Sequence, residues 1–382
     1  MISDNKIKVP FFVPHISKKD KNLIMKSLGN QSLTDGPCLK TFESDFRKFS
    51  NSKYAIGVSN ATAALFLSLK SLGIKKNDEV IIPNITFVAT GSSVFFAGAK
   101  PVLSDVNLTD MNISLEAIEK CITKKTKAII PVHFAGKICS IDKIKKIAKE
   151  KNLHLIEDCA HAIGAKLREN HVGTFGDTGC FSFYPTKNFT TIEGGMVITK
   201  KKNISDYISS FRNHGINKTL TERYSNKKPW EYEIEEPGHN YRLDEIRSTL
   251  GINQLKRINQ MNNLRRNIAK YYVEELSKIK GVEVPEISKN NENVYHLFIV
   301  KIKKNFGISR DKVHQKLLEK GIQTSVHYKP LHMFKIFNSS KKGSLENSEK
   351  LYTEILTLPL FPIMTNKQQE YVVKSIKKIQ FS

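Results

Sequence analysis

The segment 79-EVIIPNITFVATGSSVFFAGAKPVLSDV-106 reads as strand, turn, helix and strand. The apolar run 79-EVIIP-83 has the length and branching of a buried strand, Thr86 to Ala97 suits a helix, and 101-PVLSDV-106 is strand-like again. Val80 to Ala99 carries no charge and approaches the length of a membrane span. Pro83, Asn84, Gly91, Ser92 and Ser93 interrupt it, which fits a buried strand, turn and helix better than one continuous spanning helix.

The same rhythm extends to both sides. Further strand-like runs are 54-YAIGV-58, 128-AIIPVH-133, 153-LHLIE-157, 179-GCFSF-183 and 196-MVIT-199, with helical patterns over Ala61 to Leu72, Leu115 to Ile122 and Ile141 to Glu150. The expectation is an α/β domain with a mostly parallel, seven-stranded sheet flanked by helices. From Leu243 the pattern changes to long amphipathic helices, among them 254-QLKRINQMNNLRRNIAKYYVEEL-276. Strand-like pieces follow at 295-YHLFIVKI-302 and 324-TSVHY-328, with a last helix from Asn366. A chain of 382 residues exceeds one small core. The organisation expected is a large domain over 1–255 and a smaller α+β domain over 256–382.

Composition narrows the function classes. Hydrophobic residues at 40% and charged residues at 26% describe a folded globular chain without low-complexity segments or fixed-period repeats. The net charge of +24 raises nucleic-acid binding as a rival. The lysines, however, are scattered through 124-KKTK-127, 143-KIKK-146 and 200-KKK-202, without the interleaved aromatics that stack bases. A solvated basic surface that attracts small anions is the reading kept. Cys38, Cys121, Cys139, Cys159 and Cys180 are five in number and lack C-x-x-C spacing, so no disulfide framework or metal site is expected. The compartment expected is reducing and cytoplasmic, since 1-MISDNKIKVPFFVPH-15 lacks the apolar core of a secretory leader.

In open α/β sheets ligands sit beyond the carboxyl ends of the strands. Four junctions there carry chemistry. At 58-VSNATAAL-65, Ser59 or Asn60 can cap a helix whose first turn, with Thr62, forms an anion site. At 86-TFVAT-90, Phe87 can stack on a flat heterocycle or belong to the core. At 153-LHLIEDCAHAIGA-165 a strand ends in Glu157 and Asp158, and a carboxylate there calls for a cation or a helix to cap. In 180-CFSFYPTKNFTTIEGGMVIT-199, Lys187 is the only positive charge of a long apolar and small-residue stretch. Such surroundings disfavour an ammonium and release a nucleophilic amine, unless the head reaches water. Together Asp158 and Lys187 form the pair that pyridoxal phosphate requires: an acid for the ring nitrogen and an amine for the aldehyde.

Ordered motifs then point to a family. They are 33-LTDGPCLKTFE-43, 58-VSNATAAL-65, 86-TFVAT-90, 131-PVHFAGK-137, 157-EDCAHAIGA-165, 181-FSFYPTKN-188, 193-EGGMVIT-199, 214-HG-215, 238-GHNYRLDEI-246, 327-HYKP-330 and 358-LPL-360. The chain resembles the DegT/DnrJ/EryC1/StrS sugar aminotransferases from about Ile16 to its end. The resemblance implies the fold of type-I pyridoxal-phosphate enzymes. It makes Lys187 the residue that holds pyridoxal 5'-phosphate, Asp158 the partner of the ring nitrogen and Phe87 the stacking ring. Ala61, Thr62 and Ser182 match the phosphate cup, and His161 matches a donor to the phenolic oxygen. Asn240 matches an asparagine that reaches the phosphate from the neighbouring subunit, which implies a homodimer with shared sites.

Thr34, Tyr184, His327, Tyr328 and Lys329 are the expected substrate contacts. The implied reaction moves an amino group from L-glutamate to a nucleotide-linked keto-sugar, with pyridoxamine 5'-phosphate as the half-reaction form. GHNYRLDEI and VHYKP are most similar to the members that aminate C4 of 4-keto-6-deoxy sugars; a 3-keto-sugar or another carbonyl is the alternative. The chain departs from the family at Ala61, where many members have glycine, and at His161, where many have glutamine. Lysine at 187 separates it from the family's sugar dehydratases, which carry histidine there.

Overall fold

The computed structural model describes residues 7–30, 32–216, 225, 228–288 and 291–380. Its strands are β1 (Tyr54–Val58), β2 (Glu79–Pro83), β3 (Lys100–Ser104), β4 (Thr126–Ile129), β5 (His154–Asp158), β6 (Lys166–Leu167), β7 (Asn170–His171), β8 (Thr178–Ser182), β9 (Gly195–Thr199), β10 (Val282–Glu283), β11 (Phe298–Ile302), β12 (Lys341–Lys342) and β13 (Ile355–Leu358).

All seven expected strands enter one sheet of order β1-β9-β8-β5-β4-β2-β3-β12. The eighth strand, β12, is a short pair of lysines from the C-terminal third that adds parallel to β3. Every pair from β8 to β12 is parallel, while β9 runs antiparallel to β1 and β8. Alternate side chains of the strands enter two separate cores, as the period of a strand requires. Ile81, Val102, Leu155 and Phe181 pack with Phe42, Phe46 and Ile144 on one face. Val80, Ile82, Ile156 and Cys180 pack with Leu65, Leu69 and Val94 on the other. Both faces are therefore covered by helices, which explains why these strands read as continuous apolar runs.

The C-terminal part supplies an antiparallel sheet β10-β11-β13. Its core gathers Tyr272, Phe298, Leu317, Leu356 and Val372. Two expectations change here. The helix expected over 254–276 is two helices, Glu245–Leu255 and Ile258–Leu276. A turn at Lys256 and Arg257 separates them, and the Arg257 guanidinium lies 2.5 Å from the buried carboxylate of Asp20. The run 324-TSVHY-328 is not a strand: only Ser325 pairs, with Thr357. Beyond Ser325 the side chains of His327 and Tyr328 take over the bonding, to Thr357 and His161. Among the described residues, no helix is long and apolar enough to cross a membrane.

From β2 the chain passes to β3 on one side and then returns to β4 and β5 on the other. This reversal opens a crevice beyond the strand ends. Phe87, His133, Asp158 and Ser182 all follow or end strands on that edge.

Candidate active site

Asp158 ends β5 and is 4% exposed. Its Oδ2 accepts from the Thr90 hydroxyl at 2.8 Å and its Oδ1 from the Ala160 N–H at 3.1 Å. Thr90 is in turn bonded to Thr86 at 2.9 Å. Burial raises the Asp158 carboxyl above the usual carboxylate range, while these hydrogen bonds and the charge of Lys187 pull it back. Thr90 was not singled out in the sequence. The signal was there in 86-TFVAT-90, whose two threonines are four residues apart and meet on one side of the chain.

Lys187 lies in the loop between β8 and β9, held by its N–H to the Tyr184 carbonyl at 2.9 Å. The residue is half-buried, and desolvation brings its amine down to about 8 against the opposing pull of Asp158. Lys187 borders a cavity of about 60 Å³ together with His296, His327 and Tyr328. Three of the expected residues thus converge. Phe87, at the start of the Val88–Phe96 helix, is 55% exposed, so its ring face is available; its centroid lies 5.9 Å from that of Tyr328.

His161 is 3% exposed and its Nε2 bonds the Tyr328 hydroxyl at 3.1 Å. Its buried Nδ1 has no hydrogen-bond partner among the described residues. Burial holds His161 well below the ordinary imidazole value, and raises the Tyr328 hydroxyl, so His161 is neutral and Tyr328 keeps its proton. His296, beside His161 with ring centroids 4.6 Å apart, is neutral by the same cause and also has an unpartnered Nδ1. Sequence reasoning missed His296, since 295-YHLFIVKI-302 read only as a strand. His327 stacks on Phe11 at 5.5 Å and bonds Thr357, and desolvation draws it to about 4.

Two of the residues expected for a phosphate cup, Ala61 and Thr62, lie where the Ala61–Ser71 helix starts. Asn60 caps it, accepting from the Ala63 N–H at 2.9 Å. The N–H groups of Ala61 and Thr62 fall in the first turn, where the helix offers no acceptor. Gly195 pairs with both Val58 and Ser182 and packs so tightly that an added Cβ would stand 2.6 Å from the Asn60 carbonyl. Only glycine lets that helix start lie this close to β9.

The remaining candidates are not gathered in. Tyr184 is 48% exposed, and the Lys329 ammonium lies over the Phe334 ring at 4.8 Å. Thr34 and Asn240 are exposed and pair instead with Asp244 and Asn213. Neither lines the cavities that Lys187 borders.

Glu157, the other carboxylate of β5, faces away from this chemistry. It is fully buried, with Oε1 accepting from Phe175 and Gly176 at 2.7 and 2.8 Å, and Oε2 from Gly173 at 2.7 Å and His133 Nε2 at 3.0 Å. The Cys139 N–H donates to His133 Nδ1, so the imidazole proton sits on Nε2 and points at Glu157. His133, Glu157 and Cys159 have donor atoms within 4.8 Å of one another, yet the Glu157 oxygens are already taken by these bonds. Glu157→Ala leaves the Gly173 N–H and the His133 Nε2–H buried without an acceptor, and the half-buried N–H groups of Phe175 and Gly176 unpaired. We expect it to lower stability by about 3 kcal/mol or more, read from the urea midpoint.

A desolvated amine, a buried carboxylate coupled to it, an exposed aromatic face, an unpartnered imidazole nitrogen and an open helix start are the parts that pyridoxal 5'-phosphate needs. The residues present fit the group.

Comparison with known proteins agrees. The chain is 34% identical over 376 residues to SpsC, a spore coat polysaccharide biosynthesis protein of Bacillus subtilis, with 97% of each covered. Helicobacter pylori PseC, an aminotransferase involved in the biosynthesis of pseudoaminic acid, superposes with TM-score 0.90 at 29% identity, covering 97% of this chain and 98% of that one. Streptococcus pneumoniae Spr1654 in its PLP-form gives TM-score 0.90 at 26% identity, with 98% of each covered. Residues 14–377 match the family model over nearly the whole chain, and the protein belongs to the DegT/DnrJ/EryC1/StrS aminotransferase family.

Proposed function

We propose that the protein transfers the amino group of L-glutamate to a nucleotide-linked keto-sugar, a 4-keto-6-deoxy hexose or N-acetylhexosamine, using pyridoxal 5'-phosphate. The observation that carries the reading is Lys187: a half-buried amine lowered to about 8 and electrostatically coupled to Asp158. Bound pyridoxal 5'-phosphate supplies an electron-withdrawing ring and an aldehyde.

The chain's own residues do the rest. Lys187 would hold the cofactor through its Nζ and, as a free amine, would carry the proton taken from the donor's α-carbon. Asp158 holds the proton of the ring nitrogen, with Thr90 and Ala160 fixing its two oxygens. Phe87 would hold the ring and Ala61, Thr62 and Ser182 the phosphate. The Tyr328 hydroxyl donates to His161 Nε2, leaving the His161 proton on Nδ1 to meet the phenolic oxygen. Thr34, Tyr184, His327, Tyr328 and Lys329 serve the sugar and its pyrophosphate.

Asn240 completes the phosphate site of a second copy in a homodimer, in keeping with its exposure. The division at residue 255, into cofactor-binding and small domains, belongs to the same reading. So does a cytoplasmic setting, which suits five free cysteines.

Incubation with L-glutamate and a panel of nucleotide keto-sugars tests the reading: amination of a 4-keto substrate is expected, and inertness toward the whole panel refutes it. The amine gives a separate test. Because desolvation favours its neutral form, the rate of reconstitution of apoprotein with pyridoxal 5'-phosphate should level off above pH 8. Below that it should fall about tenfold per pH unit, as the ammonium takes over. A midpoint near the ordinary lysine value of 10.5 would show a solvated amine.

A further inference from the structure

Behind the Lys187 loop lies a second cavity, lined by Val13, His15, Asn188, Thr190 and Arg265 and bordered by Lys187. Three of its residues each carry a buried polar atom without a hydrogen-bond partner among the described residues: His15 Nδ1, Asn188 Oδ1 and Arg265 Nε. Asn188 is 3% and Arg265 1% exposed, so neither side chain turns to bulk solvent for compensation. Orphaned atoms of this kind are rare and costly, and three around one cavity point to a shared partner.

The chemistry of two of the three atoms follows from their neighbours and residue type. Asn188 Nδ2 donates to Asn262 at 2.7 Å and to the Val294 carbonyl at 3.0 Å, so the oxygen that remains is an acceptor. Arg265 spends one terminal nitrogen on the carbonyls of Tyr295, His296 and Leu360. Its Nε–H remains as a donor, on a guanidinium that burial lowers to about 9 and that stays protonated at neutral pH. A ligand here must accept from Arg265 and donate to Asn188, which a halide ion cannot do. The space open to a ligand centre is about 10 Å³, the size of one water.

We propose that this cavity binds a single ordered water molecule, which accepts from Arg265 Nε–H, donates to Asn188 Oδ1 and bonds His15 Nδ1. Three bonds are the usual complement of a buried water. The bridge ties together the N-terminal segment, the 185–190 loop and the Ile258–Leu276 helix. Arg265, Asn188 and His15 are thereby positioning residues for the Lys187 loop, whichever carbonyl substrate Lys187 serves.

A crystal structure of the full chain, at a resolution that shows ordered solvent, tests the site. A spherical peak at about 2.7–3.2 Å from all three atoms is expected. A dry cavity, direct pairing of the three side chains, or an anomalous bromide peak after a bromide soak overturns it.

His15→Phe tests the positioning role, because it removes one bond at the half-buried rim while leaving the loop's own bonds in place. The Lys187 and Thr191 amides, bonded to the Tyr184 and Phe183 carbonyls, should then exchange with deuterium about tenfold faster, the effect of one lost hydrogen bond. The amides of β11 should not change. Unaltered exchange at Lys187 and Thr191 overturns the role.

Discussion

Lys187→Ala should lower turnover with L-glutamate by about 10³-fold or more, because one substitution removes both a nucleophile and a proton carrier. The protein should still fold. The lysine is a poorly solvated cation whose removal relieves a desolvation cost, and no hydrogen bond of its ammonium holds another element among the described residues. The phosphate cup, Phe87 and His161 remain, so the variant should retain pyridoxal 5'-phosphate without covalent linkage. Borohydride reduction followed by peptide mass spectrometry reads the difference: a cofactor adduct on the Lys187 peptide of the native protein and none in the variant. Full turnover by Lys187→Ala would remove the assigned role outright.

Asp158→Asn should reduce turnover by about 10²-fold or more, since an amide keeps the shape, with its oxygen accepting from the Ala160 N–H and its Nδ2 turned to donate to the Thr90 hydroxyl, but offers no charge to a protonated ring nitrogen. A second effect follows from the sign of the coupling. Asp158 raises the Lys187 value and desolvation lowers it, so loss of the carboxylate leaves desolvation unopposed. The midpoint of the reconstitution profile should therefore move below about 8, toward lower pH. Native turnover would deny Asp158 its part in the chemistry, and an unmoved midpoint would deny the coupling.

The two substitutions also separate local from distant information. The runs 79-EVIIP-83 and 153-LHLIE-157 announced themselves because strands covered on both faces must be apolar throughout, a property of neighbouring residues. Lys187 stood out similarly, as a lone charge in an apolar stretch. The 254–276 helix was read as continuous because its amphipathic period continues through Arg257. The turn there accompanies an ion pair with Asp20, more than two hundred residues away, which periodicity cannot register. Likewise 324-TSVHY-328 has strand-forming residues, but a strand needs a neighbour along its whole length, and only Ser325 finds one.

His296 and Thr90 show the same limit within the site. A histidine in an apolar strand and a threonine in a helix are unremarkable by composition; each becomes part of the site through what the fold sets beside it, His161 for one and Asp158 for the other. The alternation of strands and helices, the carboxylate at the end of β5 and the lysine beyond β8 were thus determined by sequence alone, because burial and turn formation act over a few residues. The order of the eight strands, the lowered amine, the neutral imidazoles and the pairing of Tyr328 with His161 were decided by tertiary structure. Desolvation and Coulomb coupling depend on distances in space, and those exist only once the chain has closed on itself.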